Sequence, residues 1–182
     1  KMGSHGPDEY LRPFYVQRQN GVDVVVTNDD PLVQKPTAYS QINLMQKVRF
    51  APNEKWDFQY GFHFSETSSY SRYDRHIRYN NAGLPRYGEF DYGPQKWIMN
   101  NLSISNTQAT KVYDELSIRM AYQFFEESRI SRNINNPNRA TRIEKVNAIS
   151  VNADFTKKTS GNNAVFYGVE FVTNDVNSEG ID

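Results

Sequence analysis

The chain has 182 residues, equal numbers of basic and acidic residues at 21 each, and no cysteine. A zero net charge gives no electrostatic case for nucleic acid as a partner, and the absence of cysteine excludes disulfides, thiolate zinc sites and thiol nucleophiles. No stretch approaches the roughly 20 apolar residues that a membrane-spanning helix needs. A transmembrane β-barrel stays possible despite the mean hydropathy of -0.77, because its inner face and loops are polar.

Two strands are predicted in the first third of the chain. Glu9 to Gln19 is the first, although Pro13 weakens it, and Asn20 to Ser40 is predicted to be a long loop. Gln41 to Ala51 is the second strand, because apolar and polar residues alternate along it. Its apolar face would carry Ile42, Leu44, Val48 and Phe50.

The strongest pattern lies in Lys55 to Ser65, where every even position from Trp56 to Phe64 is aromatic. A period of 2 puts five rings on one face of a strand and polar residues or glycine on the other. A half-buried strand of a soluble sandwich usually mixes aliphatic residues with one or two aromatics. Five rings in a row favour a lipid-facing wall with interfacial aromatic belts.

The same alternation continues in four later segments, each long enough for the roughly 9 to 11 residues of a tilted membrane strand. They are Lys96 to Ser105, Val112 to Phe124, Ile143 to Phe155 and Ala164 to Thr173. The polar residues expected to face a lumen are Asp57, His63, Glu115 and Arg119.

The connections are predicted to alternate in length. Residues 51–54, 106–111 and 157–163 are short and rich in turn residues, whereas 20–40, 66–95 and 129–140 are longer. Short turns at one end and long loops at the other describe an all-β, antiparallel up-and-down barrel of the outer membrane.

The long loop from Glu66 to Gln95 is the predicted ligand-capture element, because tyrosine and arginine dominate binding hot spots. Its candidate residues are Arg72, Tyr73, Asp74, Arg75, His76, Arg78, Tyr79, Tyr87 and Tyr92. No metal site is predicted. His63, and more readily His76 in the loop, could ligate an iron-bearing ligand, but a lone histidine of a lumen wall is more often a hydrogen-bonded wall residue. The acidic pairs Asp29-Asp30 and Glu126-Glu127 match no metal-binding loop. The absence of a phosphate loop, a His-Glu-x-x-His motif and a nucleophile elbow argues against an enzyme.

Three segments carry a family resemblance: Gln46 to Asn53, Arg72 to Arg75, and Tyr92 to Lys96. In this order and spacing they resemble the barrel of TonB-dependent outer-membrane receptors of Bacteroidetes-type bacteria, especially receptors for haem, haemoglobin and siderophores. The resemblance implies a barrel of about 22 strands, of which residues 1–182 would supply about seven or eight strands from the middle. The plug domain and both ends of the barrel would lie outside this chain.

The resemblance also implies a function and partners. The protein would take up a scarce nutrient, an iron complex such as a ferric siderophore or haem, as cargo and without a cofactor of its own. It would contact outer-membrane lipid, the TonB complex through the plug, and in some cases a surface lipoprotein. Two alternatives stay open: a complete small barrel of about eight strands with an adhesin or structural role, and a soluble β-sandwich binding module.

Overall fold

The computed structural model describes residues 11–182, which form antiparallel β-sheets and one short helix. The elements are β1 (Phe14–Gln19), β2 (Val22–Thr27), β3 (Gln41–Asn53), β4 (Trp56–Thr67), β5 (Tyr70–Ser71), α1 (Tyr73–His76), β6 (Tyr87–Asn106), β7 (Glu115–Asn133), β8 (Ala140–Lys158) and β9 (Ala164–Ile181). Between residues 11 and 182 there is no helix of the length and apolarity that crossing a membrane would require. The prediction of an all-β, antiparallel fold is confirmed.

The main sheet is an up-and-down arrangement in the order β3-β4-β6-β7-β8-β9, with every neighbouring pair antiparallel. The short strand β5 pairs with the first part of β6. All predicted strands from Gln41 onward lie in this sheet. Within the described residues β3 and β9 have open edges, so the sheet is not closed into a barrel.

The first two strands form a separate hairpin, which corrects the predicted loop over residues 20–40. The first predicted strand is shorter than expected: β1 begins at Phe14, and residues 9 and 10 lie outside the described residues. Asn20 and Gly21 both have positive φ, at 48° and 84°, and Gln19 pairs with Val22. This is a two-residue turn of the type that Asn-Gly favours, because its twist matches that of the flanking strands.

The two faces of the main sheet differ sharply in polarity. The register places even-numbered residues of β3, β4 and β7, and of residues 96–106 in β6, on one face of the sheet. Odd-numbered residues of β8 and β9 lie on the same face. On that face, six adjacent strands carry an aligned apolar segment, which we call the apolar band. Its members are Ile42, Leu44, Val48, Phe50, Trp56, Phe58, Tyr60, Phe62, Phe64, Ile98, Leu102, Ile104, Leu116, Ile118, Met120, Tyr122, Phe124, Ile149, Val151, Ala153, Phe155, Val165, Tyr167, Val169 and Phe171.

No second layer covers the apolar band in the part of the chain that the structure describes. Phe50, Val169 and Phe171 are 60 to 70% exposed, and Val16 and Ile130 are the buried hydrophobic residues among those described. A soluble β-domain buries the apolar face of its sheet against another layer. This sheet instead presents its apolar face outward.

A row of alternating charge ends the apolar band on one side. Glu66, Lys96, Glu126 and Lys145 lie directly opposite one another on β4, β6, β7 and β8, two residues beyond the last band positions of the first three strands and four residues beyond that of β8. Opposite charges on neighbouring strands stabilise a sheet and are well hydrated. The band therefore has a defined polar boundary.

Beyond this charged row, strands continue where long loops were predicted. β6 already begins at Tyr87, β7 runs to Asn133 and β8 resumes at Ala140. The predicted loop 66–95 is thus reduced to a connection over 68–86 that includes β5 and α1, and the predicted loop 129–140 to residues 134–139. The turns at the other end of the band, residues 54–55, 107–114 and 159–163, are short as predicted.

A buried ion pair fastens the β1–β2 hairpin to β7. Both guanidinium nitrogens of Arg132 donate to the Asp23 carboxylate, at 2.5 and 2.7 Å, and the backbone N–H of Asn135 donates to the same carboxylate at 2.7 Å. The two side chains are 3% and 0% exposed. The hydrogen bonds from Arg132 are the main reason why the pKa of Asp23 lies below its ordinary value. Gly88 packs against this pair, where a Cβ would collide with the Asp23 carboxylate.

Candidate ligand-capture site

A β-bulge interrupts the pairing of β6 with β7. Tyr92 pairs with Arg129, and Gln95 pairs with Glu127, so Gly93-Pro94 of β6 lie opposite a single residue of β7. Gly93 has φ +90°, a backbone conformation that glycine adopts readily and that marks this class of bulge. One extra residue shifts the side-chain alternation of β6 by one position.

The bulge reverses which face of the sheet the even-numbered residues of β6 occupy. Below it, even-numbered residues such as Ile98 belong to the apolar band. Above it, Tyr92 and Phe90 share the polar face with Arg129 and Ser131, their partners on β7. The two rings therefore lie on the polar side of the sheet, beyond the polar residues of the part of β6 after the bulge.

Two arginines stack on Tyr92. The Arg72 guanidinium lies 4.7 Å from the centre of the ring and donates a hydrogen bond of 2.7 Å to the phenol oxygen, while the Arg129 guanidinium lies 5.9 Å from the ring centre. Tyr70 contacts the same ring edge to face, with centroids 6.3 Å apart. Such cation–π contacts favour a fixed ring orientation and a planar, polarisable surface.

A second pair of arginines lies on the neighbouring rings. Arg75 is 5.3 Å from the centre of Phe90, and Arg86 is 5.2 Å from the centre of Tyr87. The two rings contact each other with centroids 4.9 Å apart. Together with the group around Tyr92 they form what we call the arginine–aromatic cluster. Its members are Tyr70, Arg72, Arg75, Arg86, Tyr87, Phe90, Tyr92 and Arg129.

The arginines that stack on Tyr92 are charge-balanced by carboxylates. Arg72 lies 2.6 Å from Asp74, and Arg129 lies 2.7 Å from Glu127. The hydrogen bond between Arg72 and Asp74 raises the pKa of the guanidinium and lowers that of the carboxyl. A ligand can exchange with these carboxylates, of which Asp74 is exposed and Glu127 is half-buried, so the guanidinium groups can bind an anionic or hydroxyl-rich molecule next to the rings.

The structure divides the predicted capture residues between two elements. Arg72, Tyr73, Asp74, Arg75, His76, Arg78 and Tyr79 lie in the connection between β5 and β6, as predicted. Tyr87 and Tyr92 do not lie in a loop: both belong to β6, and their expected loop position was wrong. The structure brings Arg72 and Arg75 together with this strand.

His76 is not presented at the surface of the cluster. It is 7% exposed, and burial is the main cause that lowers the pKa of its imidazole to about 4. The ring is therefore neutral at neutral pH. Among residues 11–182, no group of three or more histidine and acidic side chains is placed to hold a metal ion.

Four members of the cluster were not among the predicted capture residues: Tyr70, Arg86, Phe90 and Arg129. Phe90 and Arg129 were assigned to predicted loops without a role, because their strands extend beyond the expected bounds. The signal was the Gly93-Pro94 dipeptide: glycine followed by proline inside an alternating segment is typical of a bulge as well as of a loop.

The predicted lumen-facing residues share one face. They are Asp57, His63, Glu115 and Arg119. Odd-numbered residues of β4 pair with odd-numbered residues of β6 after the bulge, and these pair with odd-numbered residues of β7. All four side chains therefore lie on the face of the sheet that is opposite to the apolar band. Asp57 is bridged by Arg49 at 2.8 Å, and Arg119 by Asp154 at 2.5 Å. The His63 ring lies 5.9 Å from the ring of Trp97.

Replacing Gly93 with alanine is expected to lower the free energy of unfolding by about 1 to 2 kcal/mol, because an L-residue is strained at positive φ. The added Cβ would also meet the Ser68 carbonyl oxygen at 3.0 Å. Denaturant unfolding of the purified protein in lipid or detergent measures the effect. Gly180→Ala is the control, since a Cβ there meets nothing within 4 Å. Equal stability of the two variants would contradict the strained bulge.

Two comparisons with known proteins do not assign the chain to a family. No protein-family model matches it, and no curated protein is significantly similar.

Proposed function

We propose that this chain forms part of the wall of a transmembrane β-barrel in the bacterial outer membrane. The protein would be a gated, TonB-powered receptor that takes up a scarce nutrient. The observation that carries this proposal is the apolar band, which is aligned across six neighbouring strands and uncovered on its outer side. An uncovered apolar surface of this extent needs lipid or a partner protein against it.

The height of the band fits a bilayer. The longest apolar segments, on β3, β4 and β7, each span about nine residues, so at about 3.3 Å per residue and a tilt of about 40° the band is about 23 Å tall. The apolar band of membrane barrels is about 25 Å tall. Aromatic rings at both ends, such as Trp56 and Phe64 on β4, suit the two interfaces with water.

The open edge of β9 favours a larger wall. Within the rows of the apolar band this strand has no proline, lysine, arginine or bulge, and its one acidic residue there, Glu170, lies on the polar face, so the usual devices that protect an edge are scarce. Unpaired backbone groups are not tolerated in the hydrocarbon region. A further strand paired along β9 would satisfy them, which supports a larger barrel over a complete small barrel made of these strands alone.

The soluble-sandwich alternative is less well supported. It requires a second layer against the apolar band, and the hairpin β1–β2 is instead tied to the far end of β7 through Asp23 and Arg132. No such layer exists within residues 11–182.

The position of the arginine–aromatic cluster supports ligand capture. It lies on the polar face beyond the charged row, at the end where the strands project past the band. In a barrel this is the water-filled mouth on the long-loop, extracellular side. Planar rings flanked by guanidinium groups suit an iron complex with aromatic and anionic groups, such as a ferric siderophore or haem. The lumen wall below would include Asp57, His63, Glu115 and Arg119.

A pair of adjacent cysteine substitutions tests the membrane wall. The chain has no cysteine, so Leu102→Cys on the apolar band and Ser103→Cys on the polar face each add one labelling site to it. In lipid vesicles, a spin label at residue 102 is expected to collide with oxygen dissolved in lipid, and one at residue 103 with a water-soluble nickel complex. Access of the nickel complex to both positions would overturn the transmembrane assignment.

Replacing Tyr92 with leucine is expected to weaken ligand binding about 10-fold, because two stacked arginines and one hydrogen bond lose their partner. Cells that express the full protein would be tested for binding of labelled ferric siderophores and haem, corrected for the amount of receptor in the outer membrane. Tyr60→Leu, on the apolar band, should bind normally. If both variants bind like the unaltered protein, the cluster is not the capture site.

A further inference from the structure

Two buried nitrogen-rich side chains lie where the start of β1 meets α1. Arg12 is 3% exposed and His76 is 7% exposed. Arg12 uses its Nε to donate to the Phe14 carbonyl at 3.2 Å, but its Nη1 is buried without a hydrogen-bond partner. Neither ring nitrogen of His76 makes a hydrogen bond of good geometry, although the Phe90 backbone lies near enough to the ring to oppose the lowering of its pKa. Buried donors are almost always paired, so this concentration of unpaired nitrogens points to a missing acceptor.

The two side chains are close enough to act on each other. The Arg12 guanidinium lies 5.7 Å from the centre of the Tyr73 ring, and Tyr73 and His76 are the first and last residues of the four-residue helix. The positive charge of Arg12 also contributes to the lowered pKa of His76. Beside them, the Nε of Arg75 is buried without a hydrogen bond, 3.6 Å from Asp74.

The charge of the Arg12 guanidinium is not neutralised by an acidic side chain among the described residues. No acidic side chain within residues 11–182 forms an ion pair with Arg12, and burial lowers the pKa of its guanidinium to about 10, so it stays charged at neutral pH. A buried guanidinium without an anion is costly. A neutral imidazole supplies one further N–H donor.

We propose that Arg12 and His76 form a binding site for a small inorganic anion of the halide type. Two N–H donors, one of them cationic, and a wall of aromatic rings are the surroundings in which such an ion is stable without water. The ion would link the start of β1 to the connection between β5 and β6, which carries Arg72 and Arg75. This proposal does not depend on the transport function.

Bromide is the probe, because it replaces chloride and scatters X-rays anomalously. Crystals of the intact protein grown without halide and soaked in sodium bromide are expected to show an anomalous peak in contact with the Arg12 guanidinium. In solution, the unfolding midpoint should rise by about 5 °C at saturating bromide relative to gluconate of the same ionic strength. Arg12→Gln should abolish this rise, and Arg78→Gln, in the same connection, should keep it.

Three results would overturn the proposal. The first is the absence of anomalous density at Arg12 in the unaltered protein, a result that does not depend on whether Arg12→Gln folds. The second is an unfolding midpoint that is the same in bromide and gluconate. The third is a carboxylate of Asp8 or Glu9, outside the described residues, bound to Arg12 in the crystals, since the chain would then supply its own anion.

Discussion

Replacing Asp23 with alanine is expected to lower the free energy of unfolding by about 3 to 5 kcal/mol, as measured by denaturant unfolding of the intact protein. The substitution leaves the Arg132 guanidinium buried without its carboxylate, and it removes the acceptor for the Asn135 backbone N–H. The hairpin β1–β2 would lose its main attachment to β7.

Asp29→Ala is the matched control. Asp29 lies in the segment that follows the same hairpin and also forms an ion pair, with Lys35 at 2.7 Å, but its side chain is 87% exposed. Solvent screens such a pair, so its loss should hardly change stability. A combined Asp23→Ala and Arg132→Met variant should recover part of the loss, because no unpaired charge is left. A small effect of Asp23→Ala would mean that the buried pair does not hold the hairpin.

The same ion pair predicts a pH dependence. The pKa of Asp23 is lowered in the folded state, so its contribution to stability is complete above its ordinary pKa of 3.8 and disappears as the pH falls through the lowered value. Stability of the unaltered protein should therefore fall more steeply below pH 4 than that of the combined variant.

Replacing Leu102 with arginine is expected to cost about 2 to 4 kcal/mol in folding from the unfolded state into lipid vesicles. Leu102 lies in the central row of the apolar band, with Tyr60 and Met120 directly opposite on the neighbouring strands. In the proposed wall this row is at the bilayer midplane, where a guanidinium is most expensive.

Ser105→Arg is the control, since this residue points to the polar face and pairs with Asp57 and Ser117, so the added guanidinium lies beside a carboxylate. It should fold nearly as well as the unaltered protein. Equal losses at the two positions, or none at either, would show that the two faces do not meet lipid and water respectively.

The polarity pattern was sufficient to predict the strands of the main sheet. In β4 the even positions from Trp56 to Phe64 are aromatic, and a strand with period 2 is the arrangement that gathers them on one face. The antiparallel pairing of neighbouring strands was predicted from the short turns between segments of alternating polarity. The existence and type of these strands was predictable because each has a local signal of at least nine residues.

Strand ends and non-local contacts were harder to predict. The hairpin of β1 and β2 carried a strong signal, Asn20-Gly21, which was included in the predicted loop 20–40 because that segment is long and contains charged residues and prolines. The upper half of β6 was taken as a loop because glycine and proline interrupt it. The pairing of Asp23 with Arg132 joins residues far apart in sequence, and no local pattern indicates it.

The bulge in β6 shows how one extra residue decides which face of a sheet a strand segment presents. If β6 paired with β7 residue for residue through Gly93 and Pro94, Tyr92 would lie opposite Ile130, and both Tyr92 and Phe90 would fall on the face of the apolar band, away from Arg129. The sequence would be the same, yet the arginine–aromatic cluster would be lost and the apolar face would gain two rings. The position of the cluster therefore depends on the backbone conformation of two residues as much as on the side chains that form it.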